Sequence, residues 1–171
     1  ALDAREARET LPKFDLLVLP VEAQVYNQDF FAHARRVNPD IIILAYVVST
    51  SWNDRFWNDP LHTQMQRGIQ NSWWLQDGFG NRTSNWPGLT LLNLNTPWVD
   101  YLARFTANDI LASGLWDGVF YDDVGEGISW IGNVDVDRNG QPDSTTTADT
   151  LWRQGYARLV EQTRQQAGDR Y

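Results

Sequence analysis

An α/β fold built on a parallel sheet is what this sequence predicts, and three observations carry the prediction. Apolar runs alternate with segments of helical periodicity up to Val48, joined by short connections. Two of those runs, Asp15-Leu-Leu-Val-Leu-Pro20 and Ile41-Ile-Ile-Leu-Ala-Tyr-Val-Val48, are continuous, as buried parallel strands are. A third, Asp117-Gly-Val-Phe-Tyr-Asp-Asp123, ends in two carboxylates, and ligands meet parallel sheets at the carboxyl ends of their strands. The length predicts a single domain over 1–171.

The elements follow in order. Residues 2–12 are charged and Ala-rich, with Leu2, Ala7 and Leu11 on one helical face. After the first strand, Asn27 to Val37 reads as a helix with Phe30, Ala34 and Val37 inward, stopped by Asn38-Pro39-Asp40. Residues 49–88 break the rhythm. They are rich in Asn, Asp, Gly and Trp, and an insertion of that length in a compact domain is usually functional. Within it, Asp59 caps a short helix from Pro60 to Gln70, and Trp73 to Gln76 reads as a short strand. Leu89 to Leu94 reads as a further strand. Thr96 caps a helix that runs to about Ser113, with Trp98, Leu102 and Phe105 inward and Gly114 at its end. After the aspartate strand and a Gly/Asn/Asp-rich loop over 124–146, the last helix spans about Thr147 to Gln166, with Trp152, Tyr156, Leu159 and Thr163 inward.

Composition excludes several functions. The net charge is −8 and the pI about 4.6, which argues against nucleic acid as a partner. The longest apolar run, Ile41 to Val48, is far short of the roughly twenty residues a membrane span needs, so no membrane insertion is expected. The chain has no Cys, which excludes disulfides, thiolate catalysis and Cys-ligated zinc. It carries no signal peptide and does not begin with Met, which suggests a processed or excised piece. Nine Trp point to flat apolar faces made for ligands, sugar rings being the usual ones, with core packing as the rival explanation for any single Trp.

Two motifs carry chemistry. In the aspartate strand, alternation puts Asp122 on the side of Phe120 and Asp123 on the side of Val119 and Tyr121. Adjacent carboxylates at a sheet end suit acid/base work; the structural alternative is one Asp as a cap and the other paired with Arg. In the loop Asp135-Val-Asp137-Arg-Asn139-Gly140-Gln141-Pro-Asp143, oxygen side chains stand at positions 1, 3, 5 and 9, with Gly at 6. That matches the first nine positions of an EF-hand-type loop and predicts a structural Ca²⁺, with Gln141 donating its backbone carbonyl. Position 12 is Thr146 where such loops place Glu, so Asp149 or Glu126 would complete the shell; the alternative is an Asp-rich turn held by Asx hydrogen bonds. His33 and His62 read as solvated, and Asn81-Arg-Thr83 fits the N-glycosylation pattern.

The segments Phe14–Leu19, Ile43–Val47, Trp73–Gly78, Trp86-Pro-Gly88, Leu92–Pro97 and Asp117–Asp122 together resemble the TIM-barrel glycoside hydrolases of the hypothetical families related to glycoside hydrolase family 114 and, more distantly, the α-amylase-like barrels. The resemblance spans nearly the whole chain, and the aspartate strand is its most specific piece. It implies a (β/α)₈ fold in which Asp122 takes the place of the strand-four nucleophile. Such a barrel needs about 250 residues, so about half of one is expected here, with other strands outside the chain. The family's general acid is expected from a later strand, with Asp123 and Glu126 as local substitutes. The first strand ends in Pro20 where relatives carry an acid, and Glu22 follows two residues later.

The combined expectation is a partial TIM-type barrel, part of an extracellular or cell-surface glycoside hydrolase acting on a polysaccharide or oligosaccharide. Tyr46, Trp52, Trp57, Trp73, Trp74 and Trp86 are the candidate sugar-binding residues. The rest of the same polypeptide, or another chain, would complete the barrel. A non-catalytic carbohydrate-binding or structural module is the rival from another class. A metal-dependent hydrolase using Asp122, Asp123 and the Asp135–Asp143 loop is a third.

Overall fold

A computed structural model describes residues 2–168. Helix α1 (Arg5–Thr10) and a 3-10 turn (Leu11–Lys13) lead into β1 (Leu16–Pro20). Helices α2 (Ala23–Tyr26) and α3 (Gln28–Val37) return the chain to β2 (Ile42–Val48). The insertion carries β3 (Ser51–Trp52), α4 (Pro60–Gly68), β4 (Gln76–Asp77) and β5 (Thr90–Leu91). Helix α5 (Trp98–Phe105) continues through a π-helical turn (Thr106–Ile110) and a 3-10 turn to Gly114, then β6 (Gly118–Asp122). Strand β7 (Val134–Asp135) and helix α6 (Thr145–Ala167) follow.

Strands β1, β2 and β6 form a parallel sheet in that order. Parallel neighbours need crossovers, and the helical segments between the strands supply them. Asp117 fixes the start of β6: its Oδ2 accepts from the Ile43 backbone N–H at 2.8 Å and from the Arg35 guanidinium at 3.0 Å. Register pairs Pro20 with Tyr46, Tyr46 with Phe120 and Val48 with Asp122.

Alternation then divides the sheet into two unlike faces. Leu17, Leu19, Ile43, Ala45 and Val47 are buried. On the opposite face Leu16, Val18, Ile42 and Phe120 are between 37% and 48% exposed. The continuous apolar runs predicted burial on both sides; one side is open. Asp122 and Tyr46 stand on that open face.

The core lies under the covered face. Phe31 meets Trp116 edge to face at 4.7 Å, and α5 and α6 pack together with Trp98, Leu102, Trp152 and Leu159 buried. Helix α6 approaches residue 94 so closely that a Cβ at Gly155 would stand 2.5 Å from the Leu94 Cβ, so only glycine fits there. The Trp98 indole donates to the Ser49 carbonyl at 2.8 Å and ties α5 to the end of β2.

One strand was misread. Leu89 to Leu94 does not join the parallel sheet; only Thr90–Leu91 is a strand, and it pairs antiparallel with Ser51–Trp52. Leu91, Leu92 and Leu94 are buried all the same, and a short apolar run reports burial without saying in which element. Likewise Trp73 closes a 3-10 turn, and the neighbouring strand is Gln76–Asp77. Asp59 caps α4 as expected, its Oδ1 accepting from Leu61 N and His62 N. Among the described residues no helix is long and apolar enough to cross a membrane.

Candidate active site

Asp122 closes β6, half-buried, at the carboxyl end of the sheet. Opposite it on the open face, the Tyr46 hydroxyl donates a short hydrogen bond to its Oδ2. The Tyr46 ring is itself stacked on Phe120, with centroids 6.2 Å apart and planes 16° apart. Burial first, and then the hydrogen bond to Asp122 and the charges of Asp122 and Asp123, raise the Tyr46 phenol well above its ordinary value of 10. The phenol therefore remains a donor at any working pH. One carboxylate oxygen of Asp122 is held by it and the other is not.

The backbone beside this carboxylate is fixed as firmly. The Asp122 carbonyl accepts from the Ser49 hydroxyl at 2.6 Å and from the Ser49 N–H at 3.3 Å. Asp123 turns the chain with a φ of 62°, an uncommon conformation for a residue with a side chain. Its Oδ2 accepts from the hydroxyls of Ser51 at 3.1 Å and Thr50 at 3.4 Å, and its carbonyl accepts from the Tyr156 hydroxyl. Burial pushes Tyr156 up to about 12, so this donor also keeps its proton. Asp123 itself is exposed.

Among the described residues the ion pairs are Arg5–Glu9, Arg8–Asp29, Arg35–Asp117, Asp59–His62 and Arg158–Asp100. Neither Asp122 nor Asp123 joins one, so the Arg-paired alternative is not what the structure contains. Glu126 is exposed on the following loop, where its carbonyl accepts from Arg153. A carboxylate held by a neutral donor, with no cation spending its charge, can attack an electrophilic carbon or stabilise a cation developing beside it.

The structure places the candidate tryptophans unequally. Trp52 is 2% exposed and presents no face to a ligand; its burial is a packing role against Trp57 and His62. Trp57 is stacked on His62 at 5.2 Å, Trp73 packs among Trp98 and Tyr101, and Trp74 carries the Arg82 guanidinium over its ring at 4.5 Å. Trp86, at the tip of a turn, keeps an open ring, 69% exposed. His62 is buried, contrary to the solvated reading, with its Nδ1 2.5 Å from Asp59 Oδ2. Trp130, 70% exposed, and the hydroxyl cluster of Ser49, Thr50 and Ser51 were missed. A polar triplet directly after an apolar strand was the signal for the second; Trp130 sits in a loop without periodicity and left none.

The loop 135–143 folds its carboxylates together. Oxygens of Asp135, Asp137 and Asp143 lie within 4.8 Å of one another. Asp135 is buried, its oxygens accepting from the backbone N–H groups of Asn139 at 3.0 Å and Gly140 at 2.9 Å. Asp143 Oδ2 accepts from Val136 N at 2.6 Å and Asp137 N at 3.2 Å. Asn139 Oδ1 accepts from the N–H of Gln141, whose side chain is exposed. The loop is joined to the core by the Asn93 amide, which donates to the Val136 carbonyl at 2.9 Å. Three carboxylates this close, with none in an ion pair, form an all-oxygen set that fits a hard cation. Of the two carboxylates expected to complete the shell, that of Asp149 is committed to Ile128 N, Ser129 N and the Ser129 hydroxyl, and Glu126 is exposed on the loop after Asp122.

Residues 35–170 match the hypothetical glycosyl hydrolase family 15, and the chain belongs to that family. Among solved structures it is similar to Aspergillus fumigatus Ega3, crystallised in complex with galactosamine, at 15% identity and a TM-score of 0.57. The match covers 92% of this chain and 51% of Ega3, so the chain spans about half the length of that structure. No curated protein matches it.

Proposed function

We propose that the chain is part of a glycoside hydrolase that cleaves a polysaccharide or oligosaccharide, with Asp122 as nucleophile. The placement of Asp122 carries the reading: it ends a parallel strand on the open face of the sheet, with one oxygen tied to Tyr46 and no cation paired to it. Family membership and the likeness to a protein bound to an amino sugar support the substrate class. In this scheme the free oxygen attacks the anomeric carbon, the sugar–oxygen bond breaks, and the leaving oxygen takes a proton from a general acid. Asp123 and Glu126 are the acids this chain can offer; a strand outside it is the better source, because the acid must stand across the scissile bond. An extracellular or cell-surface setting suits a polymeric substrate.

The fold is read as about half of a (β/α)₈ barrel. The apolar open face supports this, together with the outer edge of β6. Grooves of about 510 and 300 Å³, which share Tyr121, Val160 and Arg164 in their linings, run beside that edge. The remaining strands, from the same polypeptide or another chain, would cover both. The loop 135–143 is read as a structural Ca²⁺ site held by Asp135, Asp137, Asn139 and Asp143, neutralising three carboxylates and pinning the segment after Asp122.

The test is hydrolysis by the complete polypeptide, followed as new reducing ends on a panel of polysaccharides. Asp122→Asn is expected to keep its melting temperature and lose roughly 10³-fold or more in turnover, about 4 kcal/mol of barrel-site stabilisation. Turnover within tenfold of wild type, or saturable glycan binding with no hydrolysis by the wild type, overturns the reading.

A further inference from the structure

A second cavity, of about 120 Å³, opens beside Asp123 and is lined by Thr50, Asn85, Asp123, Ile128, Trp130 and Trp152. That is room for several waters, or for the substituent-bearing edge of one sugar ring, and too little for a larger ligand. Its walls differ in kind. The Asp123 carboxylate and the Thr50 hydroxyl make one polar side, and Trp130 contributes an indole.

Trp130 is open to solvent, yet the turn that carries it is firmly held. It lies in a 3-10 turn (Ser129–Ile131) whose leading N–H groups, Ile128 and Ser129, both donate to Asp149 Oδ1 at 2.8 and 2.9 Å. The Ser129 hydroxyl donates to Asp149 Oδ2 at 2.8 Å. A Cβ at Gly127 would stand 2.1 Å from Asp149 Oδ1, so the loop passes the carboxylate as closely as glycine allows. An exposed ring on a pre-ordered turn meets a ligand with little ordering left to do.

We propose that Trp130, Asp123 and Thr50 form a subsite for one pyranose unit of the substrate, the indole lying against the ring and the oxygen atoms receiving its hydrogen-bond donors. The inference rests on the carbohydrate reading and deepens it. Hydroxyl and ammonium groups share that donor chemistry; the unpaired charge of Asp123 favours the ammonium of an amino sugar. None of the six aromatic residues singled out from the sequence takes part.

The experiment is a titration of the ¹⁵N-labelled complete polypeptide with galactose and with galactosamine, read at the indole N–H signals and at the backbone amides of Thr50 and Asp123. The Trp130 signal is expected to move saturably, with galactosamine binding more tightly. Trp130→Ala should weaken binding about tenfold and Trp130→Phe less, read at the backbone amides of Thr50 and Asp123, while the indole signal of buried Trp116, away from the cavity, stays in place and reports an intact fold. Asp123→Asn should equalise the two sugars. No saturable Trp130 shift with either sugar, affinity unchanged in Trp130→Ala, or shifts confined to Trp86 overturns the subsite. Equal affinity of wild type for both sugars overturns the role of Asp123. The hydrolysis assay of Asp122→Asn stands apart from all of these: the subsite can fall while that assay still supports the nucleophile.

Discussion

Two acidic clusters lie within 25 residues of each other, and they are held in opposite ways. At the end of β6, Asp122 and Asp123 receive side-chain hydroxyls, those of Tyr46, Thr50 and Ser51. In the loop 135–143, the carboxylates of Asp135 and Asp143 receive backbone N–H groups from their own loop. Hydroxyl donors orient a carboxylate without determining the path of the chain. Backbone donors do the reverse: the loop takes its shape from the acid. The first arrangement leaves charge available for chemistry, and the second uses it for architecture. Substitutions in the first should therefore cost activity, and in the second, stability.

The largest stability effect is expected at Asp135. Asp135→Ala removes the acceptors of two N–H groups beside a buried position, at roughly 1–3 kcal/mol for each donor left unsatisfied. Thermal unfolding should show the melting temperature falling by several degrees, with turnover per folded molecule unchanged. A loss of turnover at an unchanged melting temperature would break the contrast and favour a metal-dependent reaction centre. Chelation comes next. Removing Ca²⁺ should lower the melting temperature, by about 2.7 kcal/mol of linkage if the ion had stood at a hundred times its Kd, and added Ca²⁺ should restore it. Immediate loss of turnover on chelation, at a temperature where the chain stays folded, would again move the metal to the reaction.

Tyr46→Phe sharpens the other side of the contrast. It frees the bound oxygen of Asp122 and keeps the ring on Phe120, so turnover should fall about tenfold, near 1.4 kcal/mol, with KM little changed. A change in KM alone would instead make Tyr46 a sugar contact. The smallest effect is the acid response of the Trp130 turn. Backbone hydrogen bonding from Ser129, chiefly, lowers the Asp149 carboxyl below its ordinary 3.8. A lowered folded value means the stabilisation is complete above 3.8 and is lost as pH falls through the folded value. Amide exchange at Ile128 and Ser129 should accelerate only at that acid limit, and Asp149→Asn should abolish the step.

Much of the sheet was legible because its signals are local. Continuous runs ending in Pro20, Val48 and Asp122 gave three strands, and alternation put Asp122 on the same face as Phe120, which the register bears out. What escaped depends on distant partners. Leu91 and Leu94 are as apolar as any strand but are buried by an antiparallel pair and by the close approach of Gly155. Counting tryptophans said nothing about which rings face solvent, since Trp52 and Trp130 occur in similarly polar stretches and differ only in what packs on them. The left-handed turn at Asp123 had no sequence mark, because Asp tolerates that conformation and is common elsewhere.

The most direct test of the nucleophile is to trap it. An activated 2-deoxy-2-fluoro glycoside of the cleaved sugar, incubated with the complete polypeptide and mapped by peptide mass spectrometry, should leave one sugar on the peptide containing Asp122 and none in Asp122→Asn. A sugar on any other carboxylate, or hydrolysis of the natural substrate with no covalent sugar at all, would contradict the account.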